Sequence, residues 1–163
     1  MRAQAISLFE QAENRGEGGQ GEEGTALATP SAETNPVFGP VIFSYTRAQA
    51  IEDGVLVDIT SWAKESGFTC PVAITRGAYD TTIAVSEAEK ALGQSVRGRG
   101  HDVLWMFYLA CRRANTSELK FSVMVARVGG RDGVKHELVE LWAKCHGGDN
   151  GEMVMTIMVN GED

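Results

Sequence analysis

The spacing of apolar and polar residues changes period several times along this chain, and each change predicts an element. Val41-Ile42-Phe43 is a short apolar run that predicts a buried strand. Thr46 follows where a helix N-cap belongs, and Gln49 completes the capping-box spacing Thr46-x-x-Gln49. Ala48, Ala50 and Ile51 suit a helix, and Gly54 supplies its stop. Val55-Leu56-Val57 resumes an extended run. In "DITSWAKESGF" a second helix is expected, capped by Thr60 or Ser61, anchored by Trp62 and ended by Gly67. "CPVAIT" reads as another strand, with Pro71 near its start where a missing N–H costs least. Ala78–Val85 is compatible with a helix, while the Gly-rich "GQSVRGRGHD" reads as a loop.

The strongest helical pattern follows. Asp102 is expected to cap "VLWMFYLACRRAN", in which Val103, Met106, Phe107, Ala110 and Cys111 recur at helical spacing. Leu104, Trp105, Tyr108 and Leu109 widen the apolar face, so this helix is expected to be central. Arg112 and Arg113 stand in its last turn, where cations suit the helix dipole. Beyond it the period drops to two. "LKFSVMVARV", "VKHELVELWAKCH" and "MVMTIMV" are extended runs divided by the turns "GGRDG" and "GGDNGE". Val134, His136, Leu138, Glu140 and Trp142 share one side of the second run, and Glu137 points away from Glu140. The expected fold is α+β: an antiparallel C-terminal β-meander packed on a central helix, preceded by a short strand–helix–strand unit.

The first 36 residues break this pattern. After a short helical pattern over Ala3–Ala12, the text is rich in Gly, Glu, Ser, Thr and Pro and holds too little apolar surface to offset its ordering entropy. Residues 1–36 are therefore read as an acidic flexible leader and 37–163 as a single α+β domain. The leader holds two Arg and six Glu, a net of −4, against −7 for the whole chain. A solvated leader and a partner-binding arm carrying Glu17, Glu22 and Glu23 are both open readings.

Hydrophobic residues make up 43% of the 163, enough for a real core. The acidic balance argues against nonspecific binding to nucleic acid or to an anionic membrane. No apolar run approaches the ~18 residues that span a bilayer, and the N-terminus lacks an apolar core of signal-peptide length. A cytoplasmic location is expected. Cys70, Cys111 and Cys145 are widely spaced and without a CxxC, so free thiols are expected rather than a disulfide framework or a zinc site.

Candidate chemistry is sparse. The chain has no P-loop, no dinucleotide-binding glycine pattern, no HExxH and no GxSxG. Arg97 and Arg99 among glycines could grip a phosphate or carboxylate, or form a plain surface loop. His101-Asp102 could be half of a proton relay, or an exposed His beside a capping Asp. Cys145-His146 are adjacent and lack a second ligand pair, so no metal is assigned. His136 is placed mid-strand, half-exposed. Trp62, Trp105, Tyr108 and Trp142 read as core or core-edge anchors.

"NPVFGPVIFSYTRAQAIEDGVLVDIT", "HDVLWMFYLACRRANTSELKFSVMV" and "AKCHGGDNGEMVMTIMVNGED" together resemble an uncharacterised bacterial family, domain of unknown function 6573, over most of 37–163. The resemblance implies a small accessory protein of a plasmid, integrative element or phage, a setting where anti-restriction and anti-CRISPR functions are common. It transfers no catalytic residue and no cofactor. In outline "FSYTRAQAIEDGVL" also resembles the start of ADP-ribosyltransferase-like folds, without their usual His-Gly-Thr. That likeness implies an NAD site in which Tyr45 and Thr46 stand at the nicotinamide and Glu152, or Glu140, is the catalytic acid.

The leading expectation is a nonenzymatic protein-binding modulator of host defence, with Glu17, Glu22, Glu23, Arg97 and Arg99 as contact candidates and a host protein as partner. The alternatives are the ADP-ribosyltransferase-like enzyme using Tyr45, Thr46 and Glu152, and a nucleic-acid-associated regulator using Arg97, Arg99, Arg112 and Arg113. A homodimer through an edge strand is also expected to be accessible to this fold.

Overall fold

The computed structural model describes residues 45–162. The chain divides after Thr46 into two units, and the architecture below is that of the second, from Arg47. The strand expected at Val41–Phe43, the acidic leader with Glu17, Glu22 and Glu23, and a domain boundary at 36/37 lie outside the described residues.

The elements in chain order are α1 (Arg47–Glu52), β1 (Leu56–Asp58), α2 (Thr60–Glu65), β2 (Val72–Thr75), α3 (Arg76–Thr82), α4 (Glu87–Ala91), α5 (Val96–Cys111), β3 (Glu118–Val128), β4 (Val134–Gly147) and β5 (Met153–Val159). The strands form one sheet in the order β1-β2-β5-β4-β3. β2 runs parallel to β5, and every other pair is antiparallel. This is the mixed α+β fold expected, with β3–β5 as the C-terminal meander.

One face of the sheet carries the core. Val72, Ile74, Phe121, Val123, Val125, Leu141, Ala143 and Ile157 pack there with Ile59, Ala63, Ala78, Val103, Leu104 and Phe107 from the helical side. Phe107 is sandwiched between Phe68 and Phe121, with ring centroids 5.1 and 5.4 Å away. Strand alternation explains the selection: odd-numbered residues of β3 and β4 face the helices, and even-numbered ones face away.

Helix α5 is central, as its apolar density predicts, but it starts earlier than the pattern suggests. From Val96 onward the glycine-rich text is helix, and only Gly93–Ser95 of it are loop. Ser95 caps the helix by accepting from Gly98 N, so Asp102 lies mid-helix and exposed beside exposed His101. The buried residues of α5 are Arg99, Gly100, Val103, Leu104 and Phe107. Met106, expected in the core, is 37% exposed, and Trp105 is an outer residue at 50%, stacked on Tyr108. Gly100 has a packing reason: a Cβ there would stand 2.8 Å from the Trp62 ring. Gly100 therefore admits a close helix–helix contact rather than breaking the helix.

The other helix starts take their caps from near and from remote residues. α1 begins directly after Thr46, where the capping pattern predicts. Its first two N–H groups, on Arg47 and Ala48, donate to the carboxylate of Asp149, at 2.8 and 2.9 Å. α2 departs from expectation: neither Thr60 nor Ser61 caps it. Thr60 is its first residue, and Asp58 accepts from Thr60 N at 2.9 Å while the Thr60 hydroxyl ties to Val72 of β2. α4 carries a full capping box between Ser86 and Glu89. The spacing Ser86-x-x-Glu89 is the sequence signal for this helix, which the expected elements do not include.

Candidate interaction face of the hairpin

β3 and β4 pair in continuous register from Glu118↔Lys144 to Val128↔Val134. They are joined by Gly129–Gly133, where Gly129 N donates to Gly133 O at 3.1 Å. Gly130 needs to be glycine: its φ is +76°, and a Cβ would stand 2.7 Å from the Val134 carbonyl oxygen. β5 pairs with β4 only from Leu141 onward. The hairpin from Ser122 to Glu140 therefore projects past the end of β5 as a two-stranded arm.

An ion network centred on one buried pair, Arg99 and Glu89, ties this arm to the helices. Arg99 of α5 lies 3.0 Å from the Glu89 carboxylate of α4, and their side chains are 4% and 8% exposed. Arg99 also donates to the carbonyls of Ala84 and Ala126. Arg127 of β3 reaches the same Glu89 oxygen at 3.4 Å, the Thr81 carbonyl, and Glu137 across the hairpin at 3.6 Å. Hydrogen bonds from Ser86 N and then Arg99 hold the Glu89 carboxyl down at about 2. Arg99 Nε is buried without a partner among the described residues. These bonds orient the arm and engage both terminal nitrogens of Arg99, whose side chain is buried.

The arm's outward face is unlike the rest of that side of the sheet. Toward β2 and β5 this face is closed: Ala73, Val154, Thr156 and Met158 are buried, and α1 lies on it through an Arg47–Thr156 hydrogen bond of 3.0 Å. On the arm it is open and apolar. Met124 and Leu138 stand directly opposite one another, 55% and 62% exposed, and Val128 is 54% exposed opposite Val134. Trp142 borders the patch with Lys120 stacked 3.9 Å above its ring, and Ser122↔Glu140 and Ala126↔His136 complete the rows.

The other singled-out residues are placed as follows. Arg97 is bound to Glu65 at 2.6 Å on the surface. Arg99 is not in a flexible basic loop: helical register turns it inward to Glu89. Arg112 and Arg113 are exposed just past α5. Tyr45 is half-exposed. Glu152 folds back over the β4–β5 turn and accepts from Asn150 N at 2.9 Å. Glu140 faces Ser122, on the side opposite Glu137. His136 is mid-strand in β4 and exposed, on the outward face of the arm.

Near the Asp149 turn a second polar chain forms. Arg47 donates to the Thr156 hydroxyl, which meets His146 Nε2 at 2.9 Å, while His146 Nδ1 lies 2.9 Å from the Gly147 carbonyl. With a neutral imidazole, Nδ1 donates and Nε2 accepts. Cys145 neighbours His146 in a strand, so their side chains leave opposite faces and do not chelate together. Among the described residues no group of three His, Cys, Asp or Glu is placed to hold a metal ion. The three cysteines are free. Burial raises each thiol, Cys111 to about 12, which suppresses the nucleophilic thiolate. No helix among the described residues is long and apolar enough to cross a membrane.

Residues 37–163 match the family described as "Family of unknown function (DUF6573)". This chain belongs to DUF6573. No curated protein and no solved structure matches it. Most of the family-matched segment is the sheet and helices described above, so the hairpin arm is part of the family's domain and not of the N-terminal 36 residues.

Proposed function

We propose that this DUF6573 member is a nonenzymatic binding module that docks a host protein on the open face of its β3–β4 arm. One observation carries the reading: the cross-strand pair Met124/Leu138, flanked by Val128, stays in solvent on an arm that the Arg99–Glu89–Arg127 ion network ties to the helices. Burying Met or Leu side chains is worth roughly 1.5–3 kcal/mol each, and a pre-ordered strand pair loses little entropy on docking. Lys120 over Trp142 and Glu140 beside Ser122 supply a polar rim. The mobile-element setting implied by the family resemblance favours a component of host restriction or CRISPR defence as the partner. The acidic leader favours one with a basic face.

The test is Met124→Lys. Full-length tagged protein and the variant, matched for melting temperature, are exposed to extract of the native host and retained proteins are quantified. A single host protein recovered near stoichiometry by the parent and at least about tenfold less by Met124→Lys is expected, since 1.4 kcal/mol is tenfold in affinity. Equal recovery by both would remove the arm face from the mechanism.

A further inference from the structure

The arm has a second exposed feature, independent of the apolar face. From Val134 to Glu140, β4 pairs with β3 on one side only; no described strand lies on the side where β5 would continue. The backbone groups on that side form an open strand edge, flanked by Lys135, His136, Glu137 and Leu138, all exposed. The other open edge, that of β3, is less available at the tip, because Arg99 donates to the Ala126 carbonyl and α4 packs beside the strand.

The free segment reads Val134-Lys135-His136-Glu137-Leu138. This order is complementary to itself when two copies run antiparallel. We infer that the free half of β4 pairs edge to edge with the same segment of a second copy, about a two-fold axis at His136. In that register Lys135 lies opposite the partner's Glu137, and Glu137 opposite the partner's Lys135. Val134 lies opposite the partner's Leu138 on the other face. Centring the axis on His136 creates both charge pairs; a shift of one residue loses both.

The monomer gives this pairing a motive. Lys135 stands directly opposite Arg127 within the hairpin, a like-charge pair that costs stability. Glu137, half-exposed, is already 3.6 Å from Arg127. The partner's Glu137 would set a second carboxylate beside the two cations. Shape agrees as well. β5 stops pairing at Leu141, and two-fold symmetry places each arm beside the unpaired half of the other's β4. The two open faces then join on one side of a continuous sheet, as an isologous interface requires.

Charge reversal decides it. Lys135→Glu puts Glu opposite Glu twice by symmetry, and Glu137→Lys puts Lys opposite Lys twice. Each is expected to weaken self-association of the full chain at least about tenfold in sedimentation equilibrium. The double variant Lys135→Glu/Glu137→Lys restores both pairs and is expected to return within about threefold of the parent. An equimolar mixture of the two single variants is expected to form the heterodimer. Glu137→Lys also removes the 3.6 Å partner of Arg127, and Lys135→Glu relieves a like-charge pair, so circular dichroism melts check that each variant is folded at the temperature of the measurement. A parent that is monomeric throughout the concentration range overturns the inference. So does a parent dimer indifferent to either reversal, or a double variant as weak as the singles.

Discussion

Glu89 shows how a single residue positions the arm. Its carboxylate takes hydrogen bonds from Ser86 N and from Arg99, and Arg127 of β3 completes the set. It joins α4, α5 and the hairpin at a point nearly closed to water. Removing the charge leaves Arg99 buried without a counter-ion. Glu89→Gln is therefore expected to cost about 3–5 kcal/mol at neutral pH, the range for breaking one side of a buried pair. The pH dependence has a defined sign. The folded carboxyl sits at about 2, below its ordinary value of 4.5, so its contribution is complete above 4.5 and is lost as pH falls toward 2. Melting temperatures of parent and variant should thus converge between pH 4.5 and 2. A constant gap across that range would show that Glu89 acts by packing alone.

At the scale of elements, what was legible depended on whether local pattern and tertiary contact agreed. The meander was readable because β3 and β4 alternate without interruption and glycine turns bound them. The start of α5 was not. Gly98 and Gly100 lower helix propensity, yet Gly100 is there to admit the Trp62 ring and Arg99 to reach Glu89, and both partners are remote in sequence. The same holds for the candidate site. Val134, His136 and Leu138 could be placed on one side of a strand, but which side faces the helices is a tertiary fact. The cap of α1 is the extreme case, since Asp149 lies about one hundred residues from the N–H groups it accepts. Those hydrogen bonds, from Ala48 N and then Arg47 N, hold the Asp149 carboxyl below its ordinary range. Asp149→Ala removes both acceptors at once. A loss of stability like that of a lost N-cap is expected, concentrated in α1. Hydrogen exchange at Arg47 and Ala48 should accelerate while the β3 and β4 amides keep their protection. Uniform acceleration across the sheet would instead assign Asp149 a global role.

For the molecule as a whole, charge is divided unevenly. Residues 1–36 carry −4 of the net −7, and the remainder carries −3. If the partner presents a basic surface, the leader contributes through long-range attraction and the arm through contact, and these two respond differently to salt. Apolar contact at Met124 and Leu138 is insensitive to screening, whereas attraction of the leader's carboxylates fades once the Debye length falls below the separation. Deleting residues 1–36, or neutralising Glu17, Glu22 and Glu23, is therefore expected to weaken partner binding several-fold near 0.05 M salt and hardly at all near 0.5 M, roughly the interval over which screening length shrinks threefold. Met124→Lys should weaken it at both. The two variants thus separate the leader from the arm in one titration series against the partner. Binding by the truncated chain that matches the parent at every salt concentration would remove the leader from recognition and leave the arm to account for it alone.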